Sequence, residues 1–177
     1  MPQVRANGID IVYESFGRVS DPAVLLIMGV MSPMMNWPDS LCQGLAARGF
    51  RVIRFDNRDA GRSTHLDALG APDLAAIIAE ATAGRPVMAP YSLDDMAADA
   101  AALIEALGID RAHVAGASMG GMIAQLVAIN HPARVKSLIS IMSTTGRPEV
   151  SQPKPEAFAA ILTPARSPAR AAFSAAS

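Results

Sequence analysis

Several features that mark large classes of proteins are scarce or missing in this sequence. Cysteine occurs once, as Cys42, aromatic residues make up 5% of the 177 residues, and the formal net charge is −1. A single cysteine excludes an intrachain disulfide, and its place in an apolar helical pattern predicts a core residue rather than a reactive thiol. A net charge this close to zero argues against nucleic acid or an anionic membrane as a partner.

Long hydrophobic runs are missing as well. The longest, at residues 23–31, is too short to span a bilayer, and the first residues lack the apolar segment of a signal peptide. We therefore expect a cytoplasmic protein. Apolar residues make up 51% of the chain, which is enough for one sizeable core at this length.

The most informative segment that is present reads G-x-S-x-G, at residues 116–120. A short apolar run precedes it, and apolar residues at helical spacing follow it. This order of strand, sharp turn and helix is the context that exposes a serine nucleophile, here Ser118. Gly116 and Gly120 would leave room for the strand and the helix to meet. The alternative interpretation is a glycine-rich turn before an ordinary helix, with Ser118 merely near its cap.

Strand and helix patterns alternate along the rest of the chain, as in an α/β protein. Asn7-Gly8 predicts the turn of an antiparallel hairpin at the start of the sheet, and Ser92 with Asp95 resembles a capping box. Strands are predicted at 3–6, 9–13, 23–27, 51–55, 113–115 and 135–142, and helices at 41–48, 93–107 and 122–129.

Two loops follow predicted parallel strands and should lie at the same edge of the sheet as Ser118. The first, at residues 28–31, can direct a backbone N–H toward the serine. The second, at residues 56–63, reads D-N-R-D-A-G-R-S. Interpreted as a purely structural turn, it would use Asp56 to accept hydrogen bonds from backbone N–H groups.

These three ordered motifs resemble the α/β-hydrolase superfamily from about residue 8 to residue 146. Among its members, the chain is most similar to small-molecule esterases such as the anthracycline methylesterases. The resemblance implies a mostly parallel sheet that begins with an antiparallel hairpin. The loop at 56–63 matches the family's D-x-R-G-x-G-x-S segment, with Asp59 in place of the first glycine, and that segment braces the site without taking part in the chemistry.

The resemblance also implies roles for individual residues. Ser118 would be the catalytic nucleophile, and the backbone N–H groups of Val30 and Met119 would stabilise the oxyanion. Met28 stands where the family usually has histidine. The residues implied for the substrate pocket are Met28, Gly29 and Met31. No metal and no cofactor are implied.

The acid and the base of a serine triad are missing from their usual places. In this fold an aspartate or glutamate and then a histidine follow the nucleophile. No aspartate follows Ser118, and the only later histidine, His131, ends a helix roughly 20 Å away. His113 should lie at the far end of its strand. His65 alone is expected at the same rim as Ser118, as a candidate substitute base or a solvated loop residue.

We therefore expect an N-terminal portion of a hydrolase, without its last strands and its cap. Residues 1–146 would form part of the α/β-hydrolase core, and residues 147–177 the start of a cap or a truncated tail, with a short helical piece near 158–162. The strand at 135–142 would be an uncovered hydrophobic edge, and such edges promote aggregation.

The predicted function is hydrolysis of small hydrophobic carboxylic esters through an acyl-enzyme on Ser118, impaired by the missing acid and base. The expected partner is a small-molecule ester, and the oligomeric state is left open. The apolar residues Met34, Met35 and Trp37 would either line the site or pack in the core. Two alternatives remain. One is a lactonase or a cofactor-free perhydrolase of the same fold, and the other is an inactive fold relic or a non-catalytic interaction module.

Overall fold

A computed structural model describes residues 1–30, 32–70, 73, 76–77, 79–80, 83–151, 154 and 156. Within these residues six strands form one sheet in the order β1-β2-β4-β3-β5-β6. The strands are β1 (Gln3–Ala6), β2 (Ile9–Phe16), β3 (Ala23–Ile27), β4 (Arg51–Phe55), β5 (Ala112–Ala117) and β6 (Val135–Ile141). The helices are α1 (Asp39–Ala46), α2 (Leu93–Ala106), α3 (Met119–Asn130) and α4 (Pro148–Ser151), with short 3-10 turns at Met34–Asn36, Asp67–Leu69 and Pro132–Arg134. The α/β class is confirmed.

The sheet begins with the predicted hairpin. β1 and β2 are antiparallel, and β2 is also antiparallel to β4. Their turn holds Asn7 at φ +47° and Gly8 at φ +78°, the left-handed values for which an Asn-Gly pair is suited. β3, β4, β5 and β6 run parallel to one another. Their carboxyl ends therefore meet at one edge of the sheet.

Both faces of the central strands are covered, as continuous apolar runs require. Every residue of β3 and of β4 is buried. One face packs against α2 and α3 through a large cluster that includes Leu25, Ile53, Leu103 and Ile123. The other face packs against Trp37 and the first part of α1 through a smaller cluster that includes Val24, Leu26, Val52 and Cys42.

Cys42 belongs to this smaller cluster, and its side chain is fully buried. Burial raises the pKa of its thiol, because the charged thiolate would lose its hydration. The prediction of a core cysteine is confirmed.

Some element boundaries differ from the sequence prediction. α1 begins at Asp39, after the extended Pro38, and so two residues before the predicted start. It ends at Ala46, and a turn then follows as far as Gly49, which has a left-handed φ of +84°. β2 and β5 are longer than predicted because their ladders continue through polar and small residues as far as Phe16 and Ala117. The capping box before α2 is present: Ser92 Oγ accepts the Asp95 N–H at 3.2 Å, and Asp95 Oδ2 accepts the Ser92 N–H at 2.7 Å.

β6 forms one edge of the sheet, and within the described residues no strand pairs with its outer side. Leu138 and Ile141 are each 40% exposed and Ile139 is 48% exposed. The expected hydrophobic edge is therefore present. The helical piece expected near 158–162, like most of 147–177, lies outside the described residues.

The exposed edge leads to a prediction about aggregation. Ile139→Lys should slow aggregation of the purified chain, because a charge on an edge strand opposes pairing with a second edge. The cost in unfolding free energy should be about 1 kcal/mol or less, since the side chain is already half exposed. Light scattering over time and urea unfolding measure the two effects.

Ile129→Lys is the matched control, because Ile129 is 70% exposed and belongs to α3 rather than to the edge strand. It introduces the same charge. If both variants slow aggregation equally, net charge rather than the β6 edge is responsible.

Candidate active site

Ser118 stands at the turn between β5 and α3, exposed to solvent at the carboxyl edge of the sheet. Its backbone has φ +54° and ψ −124°, a strained combination for a residue other than glycine. Two hydrogen bonds hold it there. The Ser118 N–H donates to the Ile141 carbonyl at 3.0 Å, and the Gly121 N–H donates to the Ser118 carbonyl at 2.9 Å.

Gly116 and Gly120 permit this turn because the backbone passes where a side chain would lie. A Cβ on Gly116 would be 1.9 Å from the Gly120 carbonyl oxygen, and a Cβ on Gly120 would be 2.2 Å from the Ile27 carbonyl oxygen. The ordinary-cap interpretation expects the serine side chain to accept a helix N–H, but Ser118 makes no such capping bond. The sequence of strand, sharp turn and helix is the backbone geometry that a nucleophile elbow requires.

The loop after β3 lies directly beside this elbow. Gly29 is buried, and a Cβ there would be 3.1 Å from Ser118 Cβ and 3.5 Å from Ser118 Oγ. Asn57 Nδ2 donates to the Met28 carbonyl at 2.9 Å and so fixes the loop. In the part of the chain that the structure describes, no backbone carbonyl accepts the N–H of Val30 or of Met119. With respect to the described residues, both N–H groups are available as donors.

A cavity of about 300 Å³ opens at Ser118. Its walls are formed by Met28, Gly29, Val30, Ser32, Asn36, Ala117, Ser118 and Met142. Of the three residues expected to line a substrate pocket, Met28 and Gly29 line this cavity, and Met31 lies outside the described residues. Their role in binding a substrate stays a prediction.

For Met34 and Trp37, which were expected either to line the site or to pack in the core, the structure confirms core packing. Met34 and Trp37 are buried packing residues, with 1% and 7% exposure, and neither lines the cavity. Met35 is exposed and also lies off the cavity wall. The reason is that the 3-10 turn Met34–Asn36 directs only its last residue toward the cavity.

Four of the wall residues were not predicted from the sequence to line a pocket: Ser32, Asn36, Ala117 and Met142. Asn36 brings an amide to a mostly apolar wall, and Met142 closes the wall beside Ser118 with a left-handed φ of +41°. The place of Met142 in the wall could have been predicted from the sequence, because it follows β6. β6 is parallel to β5, so their carboxyl ends lie side by side. No local pattern pointed to Asn36.

The loop at residues 56–63 braces the site as a structural turn. Asp56 is 2% exposed, and its carboxylate accepts the N–H groups of Met34 at 2.7 Å and of Arg62 at 2.9 Å. Asp59 takes the left-handed conformation of the glycine it replaces, with φ +59°, and its Oδ1 accepts the Leu66 N–H at 2.6 Å. Aspartate is among the few residues that tolerate this conformation.

The histidines do not contribute to the Ser118 cavity. His65 is exposed, with its ring nitrogen 3.1 Å from the Gly61 carbonyl. His113 lies at the beginning of β5 and contacts Ser137 Oγ at 2.8 Å, and His131 follows the last residue of α3. Within the described residues, no histidine and no carboxylate lines the cavity that contains Ser118.

Among the described residues, no three His, Cys, Asp or Glu side chains are grouped so that they could hold a metal ion. None of the helices described is both long and apolar enough to cross a membrane.

Proteins similar to this chain are found both by sequence and by structure. The sequence matches the family model of the α/β-hydrolase fold over residues 22–168. It is 36% identical over 125 residues to a rhodomycin D methylesterase from Streptomyces sp. (strain C5), across 71% of this chain and 36% of that protein. It is 32% identical to a putative carbamate hydrolase from Variovorax paradoxus (strain S110), across 73% of this chain and 41% of that protein.

Among solved structures, the enol-lactonase from Burkholderia xenovorans LB400 superposes with a TM-score of 0.64 and 25% identity, over 84% of this chain and 50% of that one. The chain thus spans between about a third and a half of the length of these relatives.

The close backbone contacts at the elbow lead to a stability prediction. Gly120→Ala should lower the free energy of unfolding by about 3 kcal/mol, because the new Cβ meets a carbonyl oxygen of β3 that cannot move aside cheaply. Gly44→Ala is the control: its Cβ would come no closer than 3.6 Å to Arg48 Nη1, and alanine favours α1 by up to about 1 kcal/mol. Urea unfolding of both variants measures the difference, and equal effects would contradict the close contact.

Proposed function

The chain belongs to the α/β-hydrolase family, and on that premise we propose that it carries the nucleophile of a serine hydrolase that cleaves small hydrophobic esters through an acyl-enzyme on Ser118. The observation that carries this proposal is the conformation of Ser118. A serine held at φ +54°, exposed and bordering a cavity, is strained in the way that functional residues are.

The surroundings of Ser118 suit the charge that develops in such a reaction. Attack on an ester carbonyl places negative charge on its oxygen, and backbone N–H donors stabilise that charge. The N–H groups of Val30 and Met119 are the proposed donors. Met119 is the first residue of α3, a helix of 12 residues, so the positive end of the helix dipole lies at the same place.

The proposed reaction has two steps. Ser118 Oγ bonds to the carbonyl carbon, its proton passes to a base, and the alcohol leaves with a proton. Water then attacks the acyl-enzyme and releases the acid. In a serine protease, loss of the histidine costs about 10⁶-fold in turnover and leaves about 10³ to 10⁴ over water. Because no base lines the cavity within the described residues, we expect acylation to be much slower than in a complete site.

The cavity suits an apolar acyl group with one polar feature. Met28, Val30, Ala117 and Met142 present apolar atoms, while Asn36 and Ser32 offer hydrogen bonds. The relatives' names refer to a methyl ester, a carbamate and an enol lactone, which all undergo attack at an acyl carbon. A lactone is a cyclic ester, so it would form the same acyl-enzyme.

Covalent labelling tests the nucleophile. A fluorophosphonate probe should label the folded chain at Ser118, located by peptide mass spectrometry, and Ser118→Ala should abolish the label. Ser40→Ala, at an exposed serine of α1, should keep it. Because no base among the described residues lines the cavity, labelling should be slow; a folded wild-type chain that takes no label even when imidazole supplies the base would favour a non-catalytic relic.

Chemical rescue tests the missing base. Added imidazole should raise hydrolysis of p-nitrophenyl butyrate by the chain by about tenfold, because a free base supplies proton transfer but not the positioning of a built one. The comparison is with Ser118→Ala at the same imidazole concentrations, since imidazole also cleaves the ester directly. An equal increase in both proteins would mean that Ser118 is not the atom being activated.

A further inference from the structure

A second cavity lies at the end of the sheet where the parallel strands begin, whereas Ser118 lies at the end where they finish. Its volume is about 310 Å³, and it is formed where β3 and β4 begin, by the loop before β3, the loop between α2 and β5, and the start of β6. β5 separates the two ends by five residues, or roughly 16 Å. The cavity shares no residue with the wall of the Ser118 site.

Positive charge prevails in this cavity. Arg51, Arg111 and Lys136 line it together with the carboxylates of Asp21 and Asp110. Asp21 is already paired with Arg18, whose Nη2 lies 3.0 Å from Asp21 Oδ1. Asp110, Arg111 and Lys136 are all exposed, so water screens these three charges alike and leaves the buried Arg51 as the least screened one.

Arg51 is the buried member of the set. It is 8% exposed, and within the described residues no carboxylate oxygen lies within 4.0 Å of its guanidinium nitrogens. Its side chain makes two long hydrogen bonds, from Nε to Ser15 Oγ and from Nη1 to the Leu107 carbonyl, each at 3.5 Å. A guanidinium has five N–H donors, and a buried one normally pairs with an anion because its hydration is lost.

The other two cations line the same cavity as Arg51. Arg111 is exposed at the cavity wall, and one of its nitrogens is held by the Val135 carbonyl at 2.6 Å, which fixes the planar group. Lys136 is exposed on β6, one residue further along. Planar guanidinium groups bind the paired oxygens of phosphate well, and a lysine adds a mobile charge.

We propose that this cavity is a binding site for a phosphate group, with Arg51 as the buried anchor and with Arg111 and Lys136 at the mouth. Phosphate is favoured over a monoanion because three cations line the site and the charge of one of the two carboxylates is balanced by Arg18. The site does not depend on the chemistry at Ser118.

Titration with inorganic phosphate at constant ionic strength tests the proposal. The full chain should show saturable binding by calorimetry, and Lys136→Ala and Arg111→Ala should each weaken the Kd by about tenfold or more, as loss of a charged hydrogen bond does. Arg5→Ala removes an exposed cation of β1 away from the cavity and should leave the Kd unchanged. Ser118→Ala should also bind phosphate normally, which separates this test from that of the proposed function.

Two results would overturn the site. One is the absence of saturable binding by the folded chain, and the other is an equal loss of affinity in Arg5→Ala and Lys136→Ala, which would indicate general charge attraction. Acetate at the same ionic strength should bind more weakly than phosphate. Equal affinity would overturn the assignment to phosphate.

Discussion

The contact between the first turn of α3 and the ends of β3 and β5 is the constraint on which the rest of the site depends. Three backbones meet there with no room for a side chain, since the Gly120 carbonyl lies where a Cβ of Gly116 would be and the Ile27 carbonyl where a Cβ of Gly120 would be. The strand must therefore turn sharply at Ser118, which takes a left-handed φ. The same contact brings the loop after β3 beside the serine and directs the positive end of α3 toward it.

Buried charged and amide side chains then fix the loops around this contact. Asp56 and Asn57 hold the two loops through backbone hydrogen bonds. Arg58, from the same segment, pairs with Asp99 of α2 through two bonds of 2.6 and 2.7 Å, and Asp99 also accepts from Asn7 in the first hairpin at 2.7 Å. Breaking a buried pair of this kind typically costs about 3–5 kcal/mol. The first hairpin is thereby linked to a loop of the candidate site.

The parts that the sequence predicted well are those whose signals are local. Apolar runs such as 23–27, the Asn7-Gly8 turn and the Ser92 capping box each depend on neighbouring residues, and all three are present. The cavity wall was predicted only in part, because Asn36 and Met142 come to Ser118 through packing between distant segments. The burial of Asp99 could not be predicted from the sequence either, because its partner Arg58 lies 41 residues away along the chain.

The strain at Ser118 and the proton transfer that its chemistry needs have separate structural origins. The strain comes from backbone contacts among β3, β5 and α3 and from the hydrogen bond to the Ile141 carbonyl of β6, all within the described residues. The base contributes nothing to that geometry, because no histidine lines the cavity there. A nucleophile can therefore be held in position by a fold that does not yet activate it. The backbone fixes the position of the proposed nucleophile and of the proposed oxyanion donors, whereas activation of the serine requires a side chain brought to the carboxyl end of the sheet.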